Sequence, residues 1–373
     1  MQIGQSLHDA WWRLATQHHP QTFSDTLTCS ALQAASLGYR AVVALRNQAY
    51  GQGWVQPVRL PCPVVSVGNV TVGGTGKTAC VELIAKKLLG LGKQVAVLSR
   101  GYGGTRRDYW LRWEAGKLLI DGHEASVDGL ADEPQLLARH LERVPILVGA
   151  RRDQTGRTAC EQLGCETLVL DDGFQHRCLA RDCDIVLIHA RMPLGGAALL
   201  PRGPMREPIS SLRRAHVLII TKADEALELL GALGERLRAL NPDAVLATAV
   251  HEPVGVEEPL RGIVHEAARL AGMRVGLVSS IGDPEGFDST VRRLGATVVW
   301  HRSFPDHYPY RQSDIDSVRQ EADRTRPDAV LTTEKDWVRL RSWSVPWWVL
   351  RIQMKLLSGE AELDARLAGL CAR

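Results

Sequence analysis

The stretch Val64-Val65-Ser66-Val67-Gly68-Asn69-Val70-Thr71-Val72-Gly73-Gly74-Thr75-Gly76-Lys77-Thr78 decides the fold. Its apolar start reads as a strand, its centre is a glycine-rich loop, and the apolar spacing from Cys80 to Leu89 reads as the helix that follows. Glycines allow backbone N–H groups to converge on phosphate oxygens, and the helix N-terminus adds a positive partial charge. A lysine at the end of such a loop reaches the β- and γ-phosphates, and the next hydroxyl can ligate magnesium. Thr71, Val72, Gly73, Gly74, Thr75, Gly76, Lys77 and Thr78 are therefore the expected cradle of a nucleoside triphosphate. The strict form of this pattern has glycine where Thr71 stands.

Outward from the loop, short apolar strands alternate with helical spacing at 64–67, 94–98, 146–148, 167–170, 185–188 and 217–220. Such alternation builds a parallel sheet from βαβ units, and apolar runs on both faces imply helices covering both sides. The expected fold class is α/β, a P-loop NTPase-type parallel sheet with helices on both faces. A second, smaller α/β domain is expected from a further series at 274–279, 297–300 and 329–332, and an amphipathic helix precedes them all. Residues 109–120 alternate as a β-hairpin, and a Gly/Pro-rich loop at 193–208 is long enough to cover a site. A rise in Pro and Glu at 251–258 suggests a boundary, giving segments 1–55, 56–250, 251–345 and 346–373, the last a strand and helix returning to the first domain.

At 373 residues and 45% hydrophobic content the chain suits a two-domain enzyme. A net charge of +3, with no long basic block, gives no reason to expect nucleic acid. Only 8 of the 45 cations are Lys, which leaves 37 Arg, a side chain suited to forked phosphate contacts. Eight Cys without a CxxC pair match no zinc spacing and read as reduced, mostly buried thiols. The N-terminus lacks the pattern of a secretory signal, which points to the cytoplasm. Between Thr28 and Tyr50, Leu32, Leu37, Tyr39, Val42, Val43 and Leu45 recur at near-helical spacing, with Arg40, Arg46 and Gln48 between them. That pattern fits a helix on a bilayer surface or one packed on the protein's own core, and Trp11 and Trp12 could anchor it at an interface.

Two carboxylates, Asp171 and Asp172, follow the apolar run 167–170, where open α/β sheets bind ligands and P-loop enzymes hold magnesium. Thr78, Asp171 and Asp172 are the expected metal ligands. Thr221-Lys222-Ala223-Asp224 follows another strand and looks like the base-reading element of GTPases. A P-loop GTPase, or a nucleotide-dependent switch of the metallochaperone kind, is the alternative that this element raises.

The motifs GNVTVGGTGKT, SRGYGG (99–104), DEPQLLA (132–138), GARR (149–152), LDDGFQHR (170–177), LLPRGPMREP (199–208), FPDHY (304–308) and TTEKD (332–336) occur in the order seen in tetraacyldisaccharide 4'-kinases. The chain resembles that family from residue 64 to 336, and a Thr at position 71 is usual in it. The resemblance implies ATP-dependent phosphorylation of the 4'-hydroxyl of a tetraacylated glucosamine disaccharide 1-phosphate, giving lipid IVA at the cytoplasmic face of the bacterial inner membrane. It implies two P-loop-type α/β/α domains, ATP and Mg2+, a glycolipid substrate, and contact of the N-terminal helix with the membrane surface; a monomer is the expectation for the chain itself. It also implies that Asp132 works with His307, which the sequence-based division places on different domains. Catalysis then falls to Asp132, His307 and Lys77, and closure of the two domains would bring the pair together. Arg100, Arg151, Arg152 and Arg206 flank turns or strand ends where they could grip phosphate, while Gln175 and His176 are placed to touch the sugar.

Overall fold

The computed structural model describes Trp11 and residues 23–194, 198–343 and 345–371. Along the chain, helix α1 (Phe23–Gly51) precedes β1 (Val64–Asn69), α2 (Lys77–Gly90), β2 (Val95–Ser99), β3 (Tyr109–Glu114), β4 (Lys117–Ile120) and β5 (His123–Glu124). Then come α3 (Asp132–His140), β6 (Ile146–Val148), α4 (Arg152–Glu161), β7 (Thr167–Asp171), β8 (Cys183–His189), β9 (Val217–Thr221) and α5 (Leu227–Leu240). The remainder is β10 (Val245–Glu258), β11 (Ile263–His265), β12 (Arg274–Ser279), α6 (Pro284–Arg293), β13 (Thr297–Ser303), α7 (Gln312–Thr325), β14 (Ala329–Thr333), α8 (Glu334–Leu340), β15 (Trp347–Ser358) and α9 (Glu360–Cys371).

Two compact units emerge. The first comprises Met1–Arg100, Val144–Val250 and Lys355–Arg373, and the second Gly101–Arg143 and His251–Met354. In the first unit the parallel strands run in the order β10, β9, β8, β1, β7, β2, β6. Every residue of β1, β2, β7 and β9 is buried, as both-face apolar runs require. Helix α9 packs on α2, with Lys87 2.7 Å from Glu360 and 2.8 Å from Asp364. In the second unit β13, β12, β14 and β15 form a parallel set, while β3 and β4 form the hairpin read from the 109–120 alternation.

The units differ from the sequence-based division in one respect that matters for the site. Residues Gly101–Arg143, placed by sequence within 56–250, cluster with the second unit because α3 packs on α8. The residues 251–258, read as a boundary, continue a strand that begins at Val245.

Helix α1 lies on the first unit through a mixed face, with Val43 and Ser36 buried and several polar groups reaching the chain beneath. Ser36 Oγ donates to Leu199 O at 3.0 Å and Tyr39 Oη to Arg206 O at 2.9 Å. Arg46 and Asn47 donate to the fully buried Glu207 at 2.6 and 3.3 Å, and Arg214 reaches the same carboxylate at 2.9 Å. Burial opposes the charge of Glu207, yet these cations, with a bond from Ser211, hold its carboxyl below the usual range. Removing one member of a buried ion cluster strands the rest without compensation. Arg46 and Arg214 keep 33% and 22% side-chain exposure, so the cost falls at the low end. Glu207→Ala is expected to lose about 3 kcal/mol of stability in urea unfolding; an unmoved midpoint would rule out this clamp.

Leu27, Leu37, Val42 and Leu45 of α1 are exposed. Trp12 lies outside the described residues. No helix among the described residues is long and apolar enough to cross a membrane. The expectation of eight free thiols is corrected at one pair: Cys62, ahead of β1, is joined to Cys160 of α4 in a disulfide spanning 98 residues.

Candidate active site

The glycine-rich turn is shaped by two left-handed glycines, Gly73 (φ 106°) and Gly76 (φ 83°), a conformation costly for residues with a Cβ. Gly76 precedes α2, no side chain caps that helix, and its first turn holds no acid, so its leading N–H groups remain suited to an anion. Buried Asn69 donates from Nδ2 to Thr75 Oγ1 at 2.9 Å and braces the turn, while its own Oδ1 is buried without a hydrogen-bond partner. The long Gly/Pro loop runs beside the turn: Val72 N donates to Pro204 O at 2.7 Å, and Arg206 N to Val70 O at 2.7 Å. Residues 195–197 of that loop lie outside the described residues.

This pairing delivers Arg206 to the strand-end acids. Its Nη1 donates to both carboxylate oxygens of Asp172, at 3.0 and 2.8 Å, and Lys77 Nζ lies 3.8 Å from the same group. Burial pushes the Asp172 carboxyl upward, but Lys77, Arg206 and Arg152 together outweigh it and hold it below the usual carboxylate range. Asp172 adopts a left-handed φ of 50°, so the chain turns sharply between the two acids. Asp171, at the end of β7, instead accepts from Ser99 Oγ at 3.1 Å.

The remaining predicted contacts divide. Arg152 is buried at the start of α4, its Nη1 3.4 Å from His176 Nδ1 and its Nε without a hydrogen-bond partner. Burial, then Arg152 and Arg181, push the His176 imidazole down to about 4, so it stays neutral near physiological pH. Gln175, expected at the sugar, gives its amide to Asn69 O at 2.8 Å and buttresses the turn. Arg151 pairs with Asp153 at 2.8 Å on the surface, and Arg100 is exposed at the end of β2. Lys222 of the GTPase-like element is left-handed (φ 54°) and lies 3.6 Å from Glu225.

The second unit carries a separate cluster. Asp132 is the first residue of α3 rather than its cap, and its carboxylate lies 3.3 Å from His307 Nδ1 and 3.2 Å from Arg339 Nε. His307, with φ 59°, sits on the loop between β13 and α7. The expectation that Asp132 and His307 belong to different domains is corrected, since both fall in the second unit and touch there. Their contact therefore needs no closure. The hydrogen bond to Asp132 raises the His307 imidazole above its ordinary value; burial and Lys335 oppose this, and Glu133 and Asp306 reinforce it.

Sequence reading gave no site role to the residues under this loop. Lys335 Nζ lies 3.1 Å from His307 Nε2, 2.9 Å from Asp306 and 3.4 Å from Glu133. Arg339, one turn along α8, donates to Ser280 Oγ at 2.8 Å and to Tyr308 O at 2.7 Å. Buried Asp336 accepts from Ser280 N at 3.0 Å and Tyr310 Oη at 3.1 Å. The spacing of Lys335 and Arg339, four apart after a Thr cap, marks one helix face and was the available signal.

A strand, a glycine turn and a helix whose first lysine faces a strand-end carboxylate define a P-loop nucleotide-binding protein. The family model described as LpxK, Tetraacyldisaccharide-1-P 4'-kinase, matches residues 28–372, and the chain belongs to that family. It is 42% identical over 371 residues to the tetraacyldisaccharide 4'-kinase of Anaeromyxobacter dehalogenans strain 2CP-C, covering 97% of this chain and 94% of the relative. Identity to the protein of the same name from Syntrophus aciditrophicus is 40% over 337 residues, covering 87% and 88%. Among solved structures, the apo form of LpxK from Aquifex aeolicus in complex with ATP superposes with a TM-score of 0.71 at 29% identity, covering 92% of this chain and 99% of that one.

Proposed function

We infer that this protein is an ATP-dependent kinase that transfers the γ-phosphate to the 4'-hydroxyl of a tetraacyldisaccharide 1-phosphate, forming lipid IVA. The observation that carries the reading is Lys77 Nζ 3.8 Å from Asp172 at the mouth of an uncapped helix, in a member of this kinase family. Phosphoryl transfer asks chiefly for charge neutralisation and positioning, which such a turn supplies. Thr71 to Thr78 would hold the triphosphate through backbone N–H groups, with Lys77 on the β- and γ-phosphates.

The hydroxyl of Thr78 and the carboxylates Asp171 and Asp172 are hard oxygen donors of the kind magnesium takes while keeping several waters, so the residues present fit that ion. Bound magnesium supplies charge neutralisation on the transferring group. Arg206, now on Asp172, and buried Arg152 are the cations of the first unit best placed for phosphate, while Arg100 is exposed and Arg151 is paired with Asp153. His307, oriented by Asp132, takes the proton of the 4'-hydroxyl at Nε2. The O4'–P bond forms as the bridging β–γ bond of ATP breaks, and ADP leaves.

The exposed apolar row of α1 is the membrane-facing element in this reading, which sets a monomer peripherally on the cytoplasmic face of the inner membrane. Changing Leu37, Val42 and Leu45 together to Ser should weaken binding to anionic phospholipid vesicles at least about tenfold, with ATP binding unaltered. Equal sedimentation of both forms would remove α1 from this role.

Label transfer from γ-labelled ATP to the purified disaccharide 1-phosphate in detergent tests the function. Labelled lipid is expected. Strong preference for GTP with no labelled lipid would favour the switch class that Thr221–Asp224 raised.

A further inference from the structure

We propose that Lys335 is a positioning residue of the phosphoryl transfer, setting the tautomer and charge of His307; this rests on the base role given to His307 above. Donor and acceptor chemistry leaves little choice at the imidazole. The Asp132 carboxylate only accepts, so Nδ1, 3.3 Å from it, carries a proton. The Lys335 ammonium only donates, so Nε2, 3.1 Å from it, is the acceptor. Both contacts are satisfied together by the neutral Nδ1–H tautomer, the form whose Nε2 can take a proton from a hydroxyl.

The surrounding charges show why a cation is needed there. Facing the ring are Asp132 and Glu133 of α3 and Asp306 of its own loop, the last two 3.4 and 3.9 Å from Nε2. All three favour imidazolium, and Glu133 would accept a proton held on Nε2. From α8, Lys335 occupies Glu133 at 3.4 Å and Asp306 at 2.9 Å, while Arg339 reaches His307 only through Asp132. Tyr102 adds an aromatic ring edge, its centroid 6.3 Å from that of the imidazole. Lys335 is thus the one described cation in contact with the nitrogen that does the chemistry. An arriving hydroxyl can displace its weak bond to Nε2 and leave it on the two carboxylates.

The test is the pH dependence of kcat for label transfer by the full-length Lys335→Met protein. Losing the ammonium should move the acid limb to higher pH by about one pH unit, so the rate near neutrality falls about tenfold and recovers in alkaline buffer. Lys335→Arg should hold the limb near that of wild type, and KM for ATP should stay the same in both. A loss equal at every pH, or no loss, overturns the proposal. The wild-type chain gives a second measurement that needs no stable Lys335 variant: 15N shifts of His307, assigned with His307→Gln, should report Nδ1–H, and an Nε2–H tautomer overturns it. Wild-type protein that labels no lipid contradicts the kinase reading itself, whereas wild-type transfer with an unmoved Lys335→Met profile contradicts only the role of Lys335.

Discussion

Lys77→Ala should lower kcat for lipid phosphorylation by about 10^3-fold or more while far-UV circular dichroism stays that of wild type. The large effect follows from where charge gathers: three phosphoryl oxygens become more exposed as the β–γ bond breaks, and an ammonium in a desolvated turn is worth far more there than in water. The small structural effect follows from redundancy. Asp172 keeps its contacts with Arg206 at 2.8 and 3.0 Å when the lysine at 3.8 Å is removed, and Lys77 itself retains 18% side-chain exposure. Wild-type turnover by this variant would place the nucleotide somewhere other than the glycine turn.

His307→Ala should cost about 10^2- to 10^4-fold in kcat with little change in ATP affinity, because the imidazole belongs to the unit that lacks the glycine turn. Asp132→Ala should cost less, and the double variant little more than His307→Ala, since the two act as one device. The sign of the pH effect follows from the charge the base must carry. His307 works when neutral and its pKa is raised above 6.5, so the rate should climb with pH through a limb lying above that value. The bond to Asp132 is the largest cause of the rise, so Asp132→Ala should move the limb to lower pH even as the maximal rate drops. The opposite displacement expected for Lys335→Met separates the two neighbours. An unchanged kcat for His307→Ala would remove the imidazole from the mechanism.

Much of the first unit was legible because its signals are local. An apolar strand, a glycine turn and a lysine at a helix start specify one backbone path, and β1, β2, β7 and β9 are buried throughout as their apolar runs demand. What stayed hidden depended on long-range topology. Nothing near Asp132 says that residues 101–143 join the second unit; only the packing of α3 on α8 does. Periodicity found α1 but not its sense. Leu37, Val42 and Leu45 face outward because Ser36, Tyr39, Arg46 and Asn47 meet carbonyls and a buried carboxylate more than 150 residues away. Gln175 reads as a sugar contact because it follows two acids; the bond from its amide to the carbonyl of Asn69, 106 residues away in sequence, is a long-range contact no local pattern shows. Cys62 and Cys160, 98 residues apart, fit no spacing rule.

The most direct measurement is a crystal structure of this chain grown with magnesium and a non-hydrolysable ATP analogue. The triphosphate should lie on the N–H groups of Gly74 to Thr78 with Lys77 on its outer phosphates, and the metal should touch Thr78 and a carboxylate of the 171–172 pair. A nucleotide bound away from that turn, with the turn itself free of phosphate, would contradict the account.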